Sequence, residues 1–348
     1  MMMKNLIIDP FVHYPTAYKV FAEADYVCSD KGEPLPCGID LDLDGFLSLT
    51  RENVRETYGI SPLSLEEVSG SYDKVFIVFT LNYLNDPGTE KWDPLFSGKK
   101  GQTELIQRYM SHIYDRISTL KYNKIIFLDG HDRAFVSAGE KWLNKNGLEY
   151  SAIFKREYRR THTYDYSPKV FPFPFQTFGE KNPTWRFFEE KKSGSLLEPG
   201  CVWAGGPIKH FPVGKRDEWC NRYDMLVAIQ SKLVFPPKLP QDQFLGLFNR
   251  YKSFLHLNGT GHLCARFFEG LSRESLMITE EMDTVFPFDN GEYFAEEAVF
   301  VYAMEFLEKV EALESDNALY NKCLEQQKYI VNKYYNYKWI NNYVNEKT

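Results

Sequence analysis

Twice along this chain, short runs of β-branched and aromatic residues stop at a polar turn. Each then gives way to a stretch whose apolar residues recur at helical spacing. The first series of runs is Lys4–Asp9, Lys74–Leu81, Lys124–Leu128 and Ser151–Phe154. They end, where the stop is sharpest, in Asp9-Pro10, Asn85-Asp86-Pro87-Gly88 and Asp129-Gly130-His131-Asp132. Between them, Leu105, Ile106, Tyr109, Met110, Ile113 and Ile117 share a helical face over 103–120, and Ala134–Asn146 reads as a helix closed by Gly147. A strand that is apolar throughout must be covered on both faces. Alternation of strand and helix supplies that cover in a parallel sheet flanked by helices, so the fold class is α/β.

The alternation breaks at residues 167–200, which carry Pro168, Pro172, Pro174, Pro183 and Pro199 with Gly179, Gly194 and Gly200 and read as an irregular linker. It then restarts. Cys201–Ala204 is a strand, Gly205-Gly206-Pro207 a turn, and Lys215 to Gln230 a helix. Ser253–Leu257 and Leu276–Thr279 are strands, separated by a short helix at Ala265–Leu271. Glu292–Leu313 is a long helix, and Asn317 to Tyr343 a continuous helical tail without Gly or Pro. The boundaries expected from this are a domain over 1–190, a second over 196–320, and a terminal helix over 321–348 that crosses back. A length of 348 residues agrees, since single cores stop growing below that size. No sequence repeat accompanies the restart.

Composition narrows the function classes. The net charge is −7, from 41 Lys and Arg against 48 Asp and Glu, which argues against a generally basic nucleic-acid coat and leaves room only for a local basic groove. Mean hydropathy is −0.42 and no apolar run approaches a membrane span. MMMKNLIIDP lacks the apolar core and small-residue cleavage site of a signal peptide, so a cytoplasmic protein is expected, in the host cytoplasm if viral. The six cysteines, at 28, 37, 201, 220, 264 and 323, form no CxxC and read as reduced thiols. The 23 Tyr and 27 Phe supply packing, or stacking platforms for sugars or bases.

Ligands of open parallel sheets bind beyond the carboxyl ends of the strands, and that rule ranks the candidate residues. Gly205 and Gly206 follow a strand and let backbone N–H groups approach a phosphate, with Lys209, Lys215 and Arg216 nearby to complete a diphosphate cradle. The plainer reading is a turn with solvated cations. Asn258, Gly259 and Gly261 form a tight loop ahead of a helix on which Arg266 and Glu269, three apart, share a face. An arginine there holds a phosphate and a glutamate there accepts the hydroxyls of a ribose; the alternative is a surface ion pair worth little. Asp129, His131 and Asp132 crowd another strand end, where a histidine oriented by a carboxylate deprotonates a hydroxyl, or where an Asx turn merely staples the loop.

Two further features rate lower. The run Phe154–Arg160 is the one dense basic patch, with Lys155, Arg156 and Arg159 able to touch an anionic acceptor such as DNA, or else a solvated loop paired with local acids. Glu280, Glu281 and Asp283 form a charged turn or hydrogen-bond sugar hydroxyls. The alternating acids of Asp40–Gly45 lack the end-of-loop glutamate of a calcium loop, and no metal constellation is evident.

The segment SFLHLNGTGHLCARFFEGLSRESLMITEEMDTVFPF, residues 253–288, resembles the donor site of GT-B glycosyltransferases. Its R-x-x-E helix, strand and Glu-Glu-x-Asp-Thr turn are most similar to the phage DNA β-glucosyltransferases. The strand, Gly-Gly turn and basic loop of VWAGGPIKHFPVGKRDEW resemble that family's diphosphate loop. IIFLDGHDR matches the placement of its catalytic-base strand, and DGHD with FKREY also resembles exostosin-like and CgeB-like glycosyltransferases. The resemblance covers about 130 residues of the second half. It implies two Rossmann-like domains facing a cleft, acceptor-binding over 1–190 and nucleotide-sugar-binding over 196–320. It also implies a metal-independent, inverting transfer, with a UDP-linked sugar as substrate and no tightly bound cofactor. Arg266 then matches the arginine near the diphosphate and Glu269 the ribose glutamate. Lys209 and Arg216 stand where the family has two arginines, and Lys209 forfeits bidentate contact. The family's catalytic aspartate falls nearest His131, between Asp129 and Asp132. Asp9 and His13, with Lys155, Arg156 and Arg159, are expected on the acceptor side. The acceptor is a hydroxymethylated base in DNA or a glycan. The other readings are a silent nucleotide-sugar-binding scaffold and a nucleotide-sugar epimerase.

Overall fold

A computed structural model describes residues 4–9, 21, 24–29, 51–79, 111–130, 144, 147, 149–173, 198–203, 218–236, 239, 243, 246–258, 263, 265–271, 273, 275–288 and 294–348. The chain divides into two units. Unit 1 is Met1–Tyr158, His162–Pro183 and Asn341–Thr348; unit 2 is Arg159–Thr161 and Thr184–Ile340.

The strands of unit 1 are β1 (Lys4–Ile8), β2 (Ala24–Val27), β3 (Ser71–Phe79), β4 (Lys121–Asp129), β5 (Ala152–Lys155) and β6 (Val170–Pro172). They form one sheet in the order β2-β1-β3-β4-β5-β6, and every pairing is parallel. Leu6, Ile7 and Ile8 are all buried, as are Ile125 to Leu128, which is what a sheet covered on both faces demands of its strands. One cover is the helix α2 (111–118), whose Ile113 and Ile117 join Leu6, Ile8, Val75, Ile77 and Phe127 in a single core. The helix α1 (Arg51–Tyr58) buries Val54 and Tyr58, one turn apart.

Unit 2 holds β7 (Glu198–Val202), β8 (Leu233–Val234), β9 (Tyr251–His256), β10 (Leu276–Glu280) and β11 (Val299–Phe300), in the order β11-β10-β9-β7-β8 and again all parallel. Counted from its own first strand, this is the order of the first five strands of unit 1. In both, the winding reverses next to the first strand, between β1 and β3 and between β7 and β9. The helices α3 (Glu218–Ile229), α5 (Ala303–Ser315) and α6 (Asn317–Tyr334) bring Leu226, Ile229, Phe306, Val310 and Leu324 onto Cys201, Leu255 and Ile278. The short helix α4 (Ala265–Leu271) follows β9.

The two α/β series read from the sequence are therefore present, with corrections. Part of the expected linker is strand: Val170–Pro172 is an edge strand, where a proline lacking N–H is tolerated, and Glu198–Val202 is β7. Gly200, at φ 120°, carries the register shift of β7 against β9. The long helix expected from Glu292 starts at Ala303; ahead of it Val299 and Phe300 pair with Thr279 and Glu280 as an edge strand. The tail is two helices, α6 and α7 (Tyr337–Lys347). Asn336 interrupts it by donating its amide to the carbonyls of Asn332 and Lys333 and accepting from Trp339 N, closing one helix and capping the next. In unit 1, Tyr343 of α7 donates to Pro172 O at 2.9 Å and stands edge-on to Phe154, while Lys74 donates to Asn345 and Lys124 to Thr348 O. Cys28, Cys201 and Cys323 are buried and take no part in a disulfide. No helix among the described residues is long and apolar enough to cross a membrane.

Candidate functional site

The strand ends of unit 1 gather charge in a buried setting. Asp9 follows β1 at the point of reversal, is 1% exposed, and accepts from Tyr26 Oη at 2.7 Å. Burial, reinforced by the Asp9 charge, lifts the Tyr26 phenol well above its ordinary range. Asp129 closes β4 and Lys155 closes β5; they are direct register partners, and Lys155 Nζ lies 3.3 Å from Asp129 Oδ1. Arg156 N donates to Asp129 O and Phe173 N to Lys155 O, so the backbone holds both ends of the pair.

This corrects both readings of Lys155, Arg156 and Arg159, which neither lie in a solvated loop nor present a surface that would touch an anionic acceptor. Lys155, Arg156 and Glu157 have no exposed surface and Arg159 has 8%. A run of cations looks solvated in sequence, but the parallel register sets Lys155 beside a carboxylate and the ammonium goes inside with it.

In unit 2 the corresponding strand ends meet through an asparagine. Asn258, just past β9, donates its N–H to Glu280 Oε2 at 3.0 Å and its side-chain amide to Glu281 O at 2.7 Å. The exit of β9 is thereby tied to the exit of β10. Glu269 lies on α4 and is buried, not half of a surface ion pair. The helix sits so close to β9 that a Cβ on Gly270 would lie 2.0 Å from Phe254 Cζ, so only glycine allows this approach. His256 meets Phe267 edge-on at 5.2 Å on the same helix.

Beyond the carboxyl end of β10 a pocket of about 130 Å³ is lined by Arg160, Thr279, Glu280, Glu281, Thr284 and Phe286, among others. Arg160 belongs to the three-residue segment Arg159–Thr161, which joins unit 2 although the chain on both sides of it belongs to unit 1. Arg159 bridges Thr284 in antiparallel fashion, Arg160 N donates to Asp283 O at 3.0 Å, and Thr161 donates from both N and Oγ1 to Asp283 Oδ2. Acceptors, donors and an apolar wall thus share one hollow at a strand end, an arrangement that can hold a hydroxylated ring.

The structure joins Asn258 to the acids after β10 and Asp129 to Lys155. Arg266 lies on α4, with its side chain outside the described residues, as are His13, His131, Asp132, Gly205, Gly206, Lys209, Lys215, Arg216, Gly259 and Gly261. Asp40–Gly45 is outside them too. Sequence reasoning did not single out Arg160 as a pocket residue. The signal was present only as the last arginine of a basic run, and its holder, Asp283, lies 122 residues away. No group of His, Cys, Asp and Glu among the described residues is arranged to hold a metal ion.

No protein-family model matches the chain, and no curated protein does. Among solved structures it is similar to T4 phage BGT in complex with UDP and Mn2+, at 12% identity over 99% of both chains and a TM-score of 0.47. It is also similar to the DNA modifying enzyme beta-glucosyltransferase, solved in the presence and absence of the substrate uridine diphosphoglucose, at 13% identity, 99% of both chains and a TM-score of 0.49.

Proposed function

We propose that this chain is a GT-B glycosyltransferase that moves a sugar from a nucleoside-diphosphate sugar, UDP-linked, to an acceptor hydroxyl. The observation that carries this reading is the pocket at the end of β10, with Glu280 and Glu281 on its wall and the buried Glu269 on the preceding helix. Such a strand end, in a doubly wound parallel unit, is where a nucleotide and its appended ring are held.

The roles follow from the chemistry. Glu269 accepts from ribose hydroxyls. Arg266, Arg216, Lys209 and the Gly205-Gly206 amides carry the charge that develops on the leaving diphosphate. Glu280 and Glu281 accept from hydroxyls of the transferred ring. Asp129 already faces an ammonium, so it suits holding the loop that follows it, and His131 takes the acceptor proton, with Asp132 and Asp9 next in line. Attack by the acceptor oxygen on the anomeric carbon, as the diphosphate leaves, inverts that centre. The acceptor is a hydroxymethylated base in DNA or a glycan.

Calorimetry and thermal shift with UDP and UDP-glucose test the donor assignment. Saturation at 100 times Kd adds about 2.7 kcal/mol to stability. Arg266→Ala and Glu269→Ala each weaken UDP binding in a folded chain. His131→Ala spares binding and abolishes transfer to hydroxymethylated DNA or glycan, and transfer assays with EDTA or Mn2+ decide the need for metal. No response to any nucleotide sinks the proposal, and UDP binding with neither transfer nor hydrolysis favours the silent scaffold instead.

A further inference from the structure

Arg160 is the only cation on the wall of the unit 2 pocket among the described residues, and its placement is specific. The next residue on either side is committed to holding the segment: Arg159 is buried and bridges Thr284, and Thr161 is bonded twice to Asp283 Oδ2. The Arg160 N–H is itself bonded to Asp283 O. The backbone is thus pinned at three successive residues, and Arg160 is an exposed residue of the pocket wall. Chain that belongs in sequence to unit 1 contributes to unit 2 only here before the domain boundary, and it puts an arginine on the same pocket wall as Glu280 and Glu281.

We propose that Arg160 is a ligand-binding residue that sets which ring the pocket accepts: a neutral, hydroxyl-rich sugar held between guanidinium donors and carboxylate acceptors. The neutrality follows from the wall, on which, among the described residues, Glu280 and Glu281 outnumber Arg160, so an anionic substituent meets more repulsion than attraction. This deepens the glycosyltransferase reading and rests on it. The role differs from that of Glu269 and Arg266, because it concerns the ring and not the nucleotide.

The experiment measures the affinity of the full chain for UDP, UDP-glucose and UDP-glucuronate by calorimetry, in the natural protein and in Arg160→Met and Arg160→Lys. The expected result is that UDP-glucose binds tighter than UDP and UDP-glucuronate does not. Arg160→Met then leaves the UDP affinity unchanged and lowers that for UDP-glucose by about tenfold, the loss of one charge-assisted contact. Arg160→Lys, which keeps the charge without the fork, recovers part of it. Arg160 is exposed, so both variants retain the fold, checked by an unshifted melting temperature. An Arg160→Met protein that still prefers UDP-glucose as strongly as the natural one overturns the proposal, as does a natural protein that favours UDP-glucuronate. Failure of the natural protein to bind UDP at all overturns the parent reading instead.

Discussion

Units 1 and 2 wind their first five strands in the same order, yet the fourth strand of each ends in a carboxylate with a different fate. In unit 1, Asp129 is 3% exposed and answered by the ammonium of Lys155 from the neighbouring strand. In unit 2, Glu280 is half-buried and accepts a backbone N–H from Asn258, with a pocket beside it. One topology thus delivers an acid to the same place twice. Whether that acid is locked inside or left beside a pocket follows the residue opposite. A lysine at the end of strand five stands opposite Asp129, whereas unit 2 has Phe300 opposite Glu280 at the end of its own fifth strand.

The comparison is broken most directly at Lys155. Removing one member of a buried pair strands the other charge, so Lys155→Met should cost about 3–5 kcal/mol, while the double replacement Lys155→Met with Asp129→Leu recovers most of it. Glu280→Gln keeps an acceptor for Asn258 N and should cost about 1 kcal/mol or less. Hydrogen exchange resolved by unit measures both, and equal costs would erase the distinction between the two strand ends. Next in size is Gly270→Ala. Its methyl group would meet the Phe254 ring, and such overpacking costs about 1–3 kcal/mol. Because the helix that carries Glu269 must shift, UDP affinity should fall together with stability in a denaturant titration. A drop in stability with full UDP affinity would separate Glu269 from the nucleotide. Asp316 caps α6 by accepting from Ala318 N at 2.8 Å and Leu319 N at 3.1 Å, so Asp316→Ala should cost about 1 kcal/mol, confined to unit 2.

The last contrast separates the units by pH. In unit 1, burial raises the phenols of Tyr26, Tyr72 and Tyr343, so these groups stay protonated in the folded chain after they would ionise in the unfolded one. Their contribution is complete below pH 10 and is lost as pH rises from 10 through their folded values. In unit 2, burial pushes the Cys201 thiol up to about 12 from 9, so its loss begins a unit lower, above pH 9. Tyr26→Phe should flatten the alkaline decline of unit 1 and leave that of unit 2 unchanged, followed by tyrosinate absorbance and far-ultraviolet dichroism. Phenolate signal at pH 10 from all tyrosines of the folded chain would refute the burial argument.

The central strands were legible because they are continuous apolar runs: the cores of β1, β3, β4, β9 and β10 lie where the sequence puts them. Strands such as Ala24–Val27, Leu233–Val234 and Val299–Phe300 were not, since two to four residues carry no period and exist as strands only through the neighbour they pair with. At the candidate site, Asn258 and Glu269 were singled out through a glycine loop followed by a helix, a local pattern. Lys155 was read the wrong way round and Arg160 was passed over, because the partners that define them, Asp129 and Asp283, lie 26 and 122 residues away.

Taken by itself, the sequence determined that two parallel α/β units follow one another, for a run apolar on both faces has no stable place except between helices. It also determined which loops follow the strands, since Gly, Asn and Asp stop a strand through their own backbone preferences. Only the tertiary structure decided that the two units share a strand order, that Arg160 joins the wall of a pocket in unit 2, and that Lys155, Arg156 and Arg159 of a basic run are buried. Those outcomes depend on which distant group meets each charge, and desolvation makes a charge buried beside its partner a different object from the same charge in water.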